Sequence, residues 1–122
     1  MFFYPKDNTP GCTLEAKAFS DNIKKFQNLG INVFGVSGNK EDSHVNFINK
    51  HCLLMELIDD TDFLISKKYG FFAKKSLFGF KYDAITRSTI YIKKNRKIGK
   101  IWHDVSVFSH INEVLNFLEQ GK

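Results

Sequence analysis

The feature that most constrains this chain is an unbroken alternation. Short apolar runs of β type are followed, one after another, by segments with helical spacing, and no Pro/Ser-rich linker, internal repeat or low-complexity run intervenes. Residues 2–4 read as the end of a strand and residues 5–11 as a loop rich in turn formers. A helix follows, in which Ala16, Phe19, Ile23 and Phe26 recur at helical spacing and Gly30 supplies the stop. Residues 31–36 form the short apolar run of a buried strand, and residues 41–51 a helix with Val45, Phe47 and Ile48 on its apolar side. Residues 55–58 read as a third strand, and Asp60 or Asp62 as the cap of a short helix reaching Tyr69. After Gly70 the pattern fails until Thr86. It resumes with two β-rich runs, 88–93 and 97–102, which Lys94-Asn95-Arg96 separates as a hairpin turn would. Residues 107–118 close the chain as an amphipathic helix. This order predicts one α/β domain over residues 1–122, a mixed central sheet with helices on both faces.

Composition narrows the classes. With 122 residues, 43% hydrophobic and 25% charged, the chain can bury a core and is neither a disordered tail nor a disulfide-dense miniprotein. No window approaches the roughly 18 uninterrupted apolar residues of a membrane span, and residues 1–11 lack the order of a signal peptide. The expectation is a soluble, cytoplasmic protein without a membrane partner. The only two cysteines, Cys12 and Cys52, suit a reducing compartment. The net charge of +5 comes from dispersed lysine pairs with little arginine, which reads as a solvated face rather than a nucleic-acid footprint. Most of the 13 phenylalanines are expected in the core. Residues 70–82 interleave Phe71, Phe72, Phe78, Phe80 and Tyr82 with Lys74, Lys75 and Lys81, a pattern shared with nucleic-acid and membrane-surface segments. The reading preferred here is a loop whose aromatics cover the sheet while its lysines face water. A self-association or reductase-docking surface is the other reading.

The chemistry concentrates where residues 5–13, PKDNTPGCT, carry the first strand into the first helix. Thr9 suits the N-cap, and Pro10 suits the first helical position because its missing N–H would be an orphan there. Cys12 then falls in the first turn, where unpaired backbone N–H groups and the positive end of the helix dipole favour a thiolate. That placement argues for a nucleophile rather than an inert packed thiol. There is no C-x-x-C pair, and His44, His51, His103 and His110 show no spacing to Cys12 that argues for acyl transfer. His44, His51 and Cys52 can be pictured as metal ligands, but no second ligand cluster completes a site, so no metal is expected.

Pro5, Thr9 and Cys12 reproduce the Pro-x-x-x-Thr-x-x-Cys signature of the peroxiredoxins. The stretches FFYPKDNTPGCTLEA, GVSGNKEDSH and TRSTIYI together resemble the subfamily of bacterioferritin comigratory protein, or peroxiredoxin Q, over nearly the whole chain. The resemblance implies a thioredoxin-like fold and a thiol-dependent peroxidase that reduces hydrogen peroxide or alkyl hydroperoxides. Thioredoxin or a similar dithiol is implied as reductant, with no cofactor and a monomeric or weakly dimeric state. It assigns Cys12 as the thiol that becomes a sulfenic acid and Thr9 as the hydroxyl directed at thiolate and peroxide. It assigns Pro5 as a shield against water and Arg87 as the arginine whose planar, permanently charged fork holds thiolate and peroxide together. Two departures stand out. Members carry a hairpin and most of the first strand ahead of this motif, so the chain is expected to be N-terminally truncated relative to the family, with strands left unpaired. Lys17 stands where many members have the resolving cysteine, which leaves Cys52, an inefficient candidate, or an outside thiol. The competing reading is a thioredoxin-like binding module or an inactive fragment.

Overall fold

Runs rich in Phe, Ile and Val become strands, and segments of helical spacing become helices, in the computed structural model, which describes residues 1–120. In chain order the elements are β1 (Phe2–Phe3), α1 (Pro10–Asp21), α2 (Ile23–Asn28), β2 (Phe34–Ser37), α3 (Glu41–His51) and β3 (Glu56–Asp59). They continue with α4 (Leu64–Lys68), β4 (Phe72–Leu77), β5 (Phe80–Ile85), β6 (Ser88–Ile92), β7 (Ile98–Trp102) and α5 (His110–Gln120). The main sheet has the order β3-β2-β1-β6-β7. β1 runs parallel to β2 and antiparallel to β6, so the sheet is mixed, as expected.

The two-residue β1 lies at the centre because its side chains alternate between two cores. Phe2 and Tyr4 point into a cluster with Ala16, Phe19, Phe26, Phe47, Val114 and Leu118, which draws α1, α2, α3 and α5 together. Phe3 points into the other cluster, with Val36, Phe71, Ile85 and Ile90, and Ile65 of α4 packs there. Gly35 lets Phe2 and Tyr4 lie close to β2. A Cβ at Gly35 would stand 2.9 Å from the Phe2 ring and 2.7 Å from Leu57.

Pairing does not stop at the ends of β1: Tyr4 N donates to Val36 O, and Ile90 N to Met1 O. Beyond Met1, a cleft of about 460 Å³ lined by Ile31, Phe34, Ile90 and Tyr91 separates the start of β2 from the end of β6. Among the described residues, no helix is long and apolar enough to cross a membrane.

Several expectations need correction. The helix predicted after Cys12 is two helices, because the Asn22 amide donates to the Ala18 carbonyl at 2.8 Å and competes with the helical ladder. The strand expected at 31–36 begins only at Phe34, and the last helix starts at His110 rather than Val107. Residues 70–82, read as an irregular loop, lie largely in an antiparallel hairpin over residues 72–85, with Leu77 opposite Phe80 and Phe72 opposite Ile85. Its aromatics do not all cover the sheet. Phe71 is buried, but Phe78 and Phe80 are 92% and 78% exposed. The N-cap of α4 is Phe63, at φ 59°, rather than Asp60 or Asp62, although the Asp60 carboxylate accepts from Ile65 N and Ser66 N at 3.0 and 2.9 Å.

Candidate active site

The site is built where β1 ends and α1 begins. Thr9 has the extended backbone of an N-cap (φ −82°, ψ 152°), its carbonyl accepts from Thr13 N at 2.9 Å, and Pro10 opens the helix. The Thr9 hydroxyl does not cap. It donates back to Lys6 O at 2.9 Å, so its hydrogen is committed and its lone pairs remain to accept. Cys12 follows in the first turn, 1% exposed, close to the orphan N–H groups of the helix start.

Arg87 reaches this turn from the connection between β5 and β6, where Val105 N donates to its carbonyl at 2.9 Å. One terminal nitrogen, Nη2, lies 3.4 Å from Cys12 Sγ, and the other, Nη1, lies 2.9 Å from Glu15 Oε1. The guanidinium therefore bridges thiol and carboxylate. Gly11 leaves room for it: a Cβ there would stand 3.2 Å from Nη2. Burial works against the Arg87 charge, but Glu15 and Cys12 beside it hold its pKa above the usual arginine value. Burial pushes Glu15 up to about 7, and Arg87 offsets only part of that rise. Glu15 is 2% exposed, and its second oxygen has no hydrogen-bond partner.

A second buried network fixes the loop that carries Pro5 and Thr9. Asp7 accepts from the Tyr4 hydroxyl at 2.6 Å and the Ser43 hydroxyl at 2.8 Å, and its Oδ2 lies 2.7 Å from His44 Nδ1. Its backbone N–H donates to Asn39 Oδ1 at 2.9 Å. The opposite His44 nitrogen lies 3.2 Å from the Ile58 carbonyl, so the ring is held between the Asp7 carboxylate and the β3 backbone. Burial opposes the Asp7 charge, yet the hydrogen bonds from His44, Tyr4 and Ser43 hold its carboxyl below the usual range. Tyr4, buried and bonded to Asp7, is pushed well above the usual phenol value and stays a neutral donor.

Cys12 and Arg87 are thus brought together, and Pro5 and Thr9 stand on the loop leading to them. Cys52 is not brought to them. It is exposed at the C-cap of α3, and neither cysteine is in a disulfide. Leu54 N donates to Ser20 Oγ at 2.9 Å, which sets this turn against the C-terminal half of α1. At the helical rise, Ser20 lies about 12 Å along α1 from Cys12. His44 is held by Asp7, His51 packs on Phe47 and His110 bonds Thr89. Among the described residues, no three His, Cys, Asp or Glu side chains gather as metal ligands would. Sequence reasoning missed Glu15 and Asp7. Glu15 had a signal, since it falls three residues after Cys12 on the face shared with Ala16 and Phe19.

The chain is similar to known proteins over nearly its whole length. The model of the AhpC/TSA family matches residues 1–101. The putative peroxiredoxin bcp of Coxiella burnetii is 37% identical over 118 residues, which cover 97% of this chain and 78% of that protein. Peroxiredoxin Bcp of Escherichia coli K12 is 33% identical over 120 residues, 98% of this chain and 77% of that one. A solved structure of the Xanthomonas campestris bacterioferritin comigratory protein, studied for alkyl peroxide reduction, superposes with a TM-score of 0.92 at 31% identity. The match covers 98% of this chain and 76% of that one.

Proposed function

The chain belongs to the AhpC/TSA family, on its bacterioferritin comigratory protein branch, and is a thiol-dependent peroxidase; we propose that Cys12 is the thiol it uses, with Arg87, Thr9 and Pro5 around it. The observation that supports this most is the Arg87 guanidinium 3.4 Å from a thiol in the first turn of a helix. The thiolate that attacks the terminal peroxide oxygen has the Arg87 cation on one side and the N–H groups of the helix start on the other. The S–O bond forms as the O–O bond breaks. Sulfur gives up two electrons, and the leaving oxygen takes a proton and departs as water or an alcohol.

Arg87 stabilises the negative charge that passes along the breaking bond, while the free lone pairs of Thr9 accept the peroxide's O–H and orient it. Pro5, half-buried in the loop after β1, limits water at the thiol. The sulfenic acid on Cys12 is reduced by an external dithiol of the thioredoxin kind. One thiol attacks the sulfur and releases water, and the second thiol breaks the mixed disulfide. The external route is favoured over Cys52 because a disulfide needs Cα atoms within about 7 Å. Cys52 lies on the turn that Leu54 N ties to Ser20 in the C-terminal half of α1, away from the first turn that carries Cys12, so resolution by Cys52 calls for that first turn to open. The two free thiols fit a reducing cytoplasm. In a thioredoxin-coupled assay, Cys12→Ser should abolish peroxide consumption while Cys52→Ser leaves it running. Undiminished turnover by Cys12→Ser would remove Cys12 from the reaction.

A further inference from the structure

The β4–β5 hairpin turns through Phe78 and Gly79, at φ 51° and 81°, in the two-residue geometry that favours Asn-Gly. Phenylalanine is a poor choice at the first of these positions. Its Cβ crowds the backbone in the left-handed region, and at 92% exposure it gains nothing by burial. Phe80, 78% exposed, follows directly, and Tyr82, 46% exposed, stands farther along β5. Lys74 and Lys81 are exposed on the two strands, and the Lys67 ammonium lies 4.9 Å from the Phe72 ring at the hairpin's base. Within residues 67–85 there are five lysines and one acidic residue, Asp83, which pairs across from Lys74.

Exposed rings at a tip, a phenol behind them and a collar of cations match the layering of a lipid interface. Apolar rings enter the acyl boundary, tyrosine sits at the headgroups, and lysines meet anionic phosphates. We propose that this hairpin docks the protein on an anionic lipid surface without spanning it. The charge is complementary, and the contact suits a bilayer better than a protein. A stable protein interface takes about 800 Å² from each partner, more than two rings at the end of a two-stranded ribbon supply, whereas a bilayer closes around whatever enters it. The proposal rests on this surface alone and is independent of the thiol chemistry.

Co-sedimentation with vesicles tests it. The protein should pellet with vesicles of phosphatidylcholine mixed with phosphatidylglycerol, weakly with phosphatidylcholine alone, and less as salt is raised. A Phe78→Asn/Phe80→Ser double variant should partition about tenfold less or weaker still, since each ring's burial is lost. Asn is the residue the turn prefers, so this variant keeps the hairpin. An unchanged circular dichroism spectrum and unchanged peroxide consumption check that it does. Lys81→Glu should weaken binding to the anionic vesicles only. Equal pelleting of parent and double variant, or no pelleting of the parent, overturns the proposal. So does a dimer in sedimentation equilibrium that the double variant abolishes while vesicles bind neither protein, because the tip is then a self-association face.

Discussion

Arg87 divides its two terminal nitrogens between the Cys12 thiol and the Glu15 carboxylate, so the position of the charge at sulfur depends on both. Lysine at this position keeps a positive charge but cannot fork. Arg87→Lys should slow sulfenic acid formation by about 100-fold, the scale of losing one preorganised donor, as read by stopped-flow reaction with peroxide. An unchanged second-order rate would take Arg87 out of the site. Glu15 makes a separate, thermodynamic prediction. Its folded value of about 7 lies above the ordinary 4.5, so the folded state binds more protons than the unfolded chain between those pH values. Ionising Glu15 therefore costs stability: the cost is absent below pH 4.5, grows as pH rises and is complete above about 7. Glu15→Gln should flatten the fall in urea midpoint over that window, and an identical slope in variant and parent would contradict the assignment.

Among the elements, the loop between β1 and α1 is held by side chains far off in sequence. Asp7 draws in Asn39, Ser43 and His44, which ties the loop to the end of β2 and the start of α3. Asp7→Asn should cost about 1–3 kcal/mol by chemical denaturation, because buried donors lose a charged acceptor. The lowered Asp7 value means that its stabilising contribution is present above the ordinary 3.8 and is lost as pH falls through its folded value. The variant should accordingly show a smaller acid-induced loss of midpoint than the parent. This network was invisible in the sequence because nothing local joins Asp7 to a histidine 37 residues away. The start of α1 was legible, since Thr9, Pro10 and Cys12 follow rules that act within one turn. The β4–β5 hairpin was not. A ribbon outside the main sheet has little burial to impose alternation, and Phe78-Gly79 lacks the polar residue that usually marks such a turn.

Over the whole molecule, the alternation of strands and helices foretold the mixed sheet, but α1, α2, α3 and α5 all gather in one core and only the short α4 reaches the other. The relation between the two cysteines was not legible, because a single tertiary hydrogen bond, Leu54 N to Ser20 Oγ, sets the turn after α3 against α1. The proposed reaction requires that peroxide oxidises Cys12 while Cys52 stays apart in the intact fold. The direct measurement treats reduced protein with one equivalent of peroxide, traps it with a sulfenic-acid reagent and a thiol alkylator, and maps intact and digested masses. The expected result is one sulfenic adduct on Cys12 with Cys52 freely alkylated. An adduct on Cys52 with Cys12 still alkylated as a thiol would contradict it.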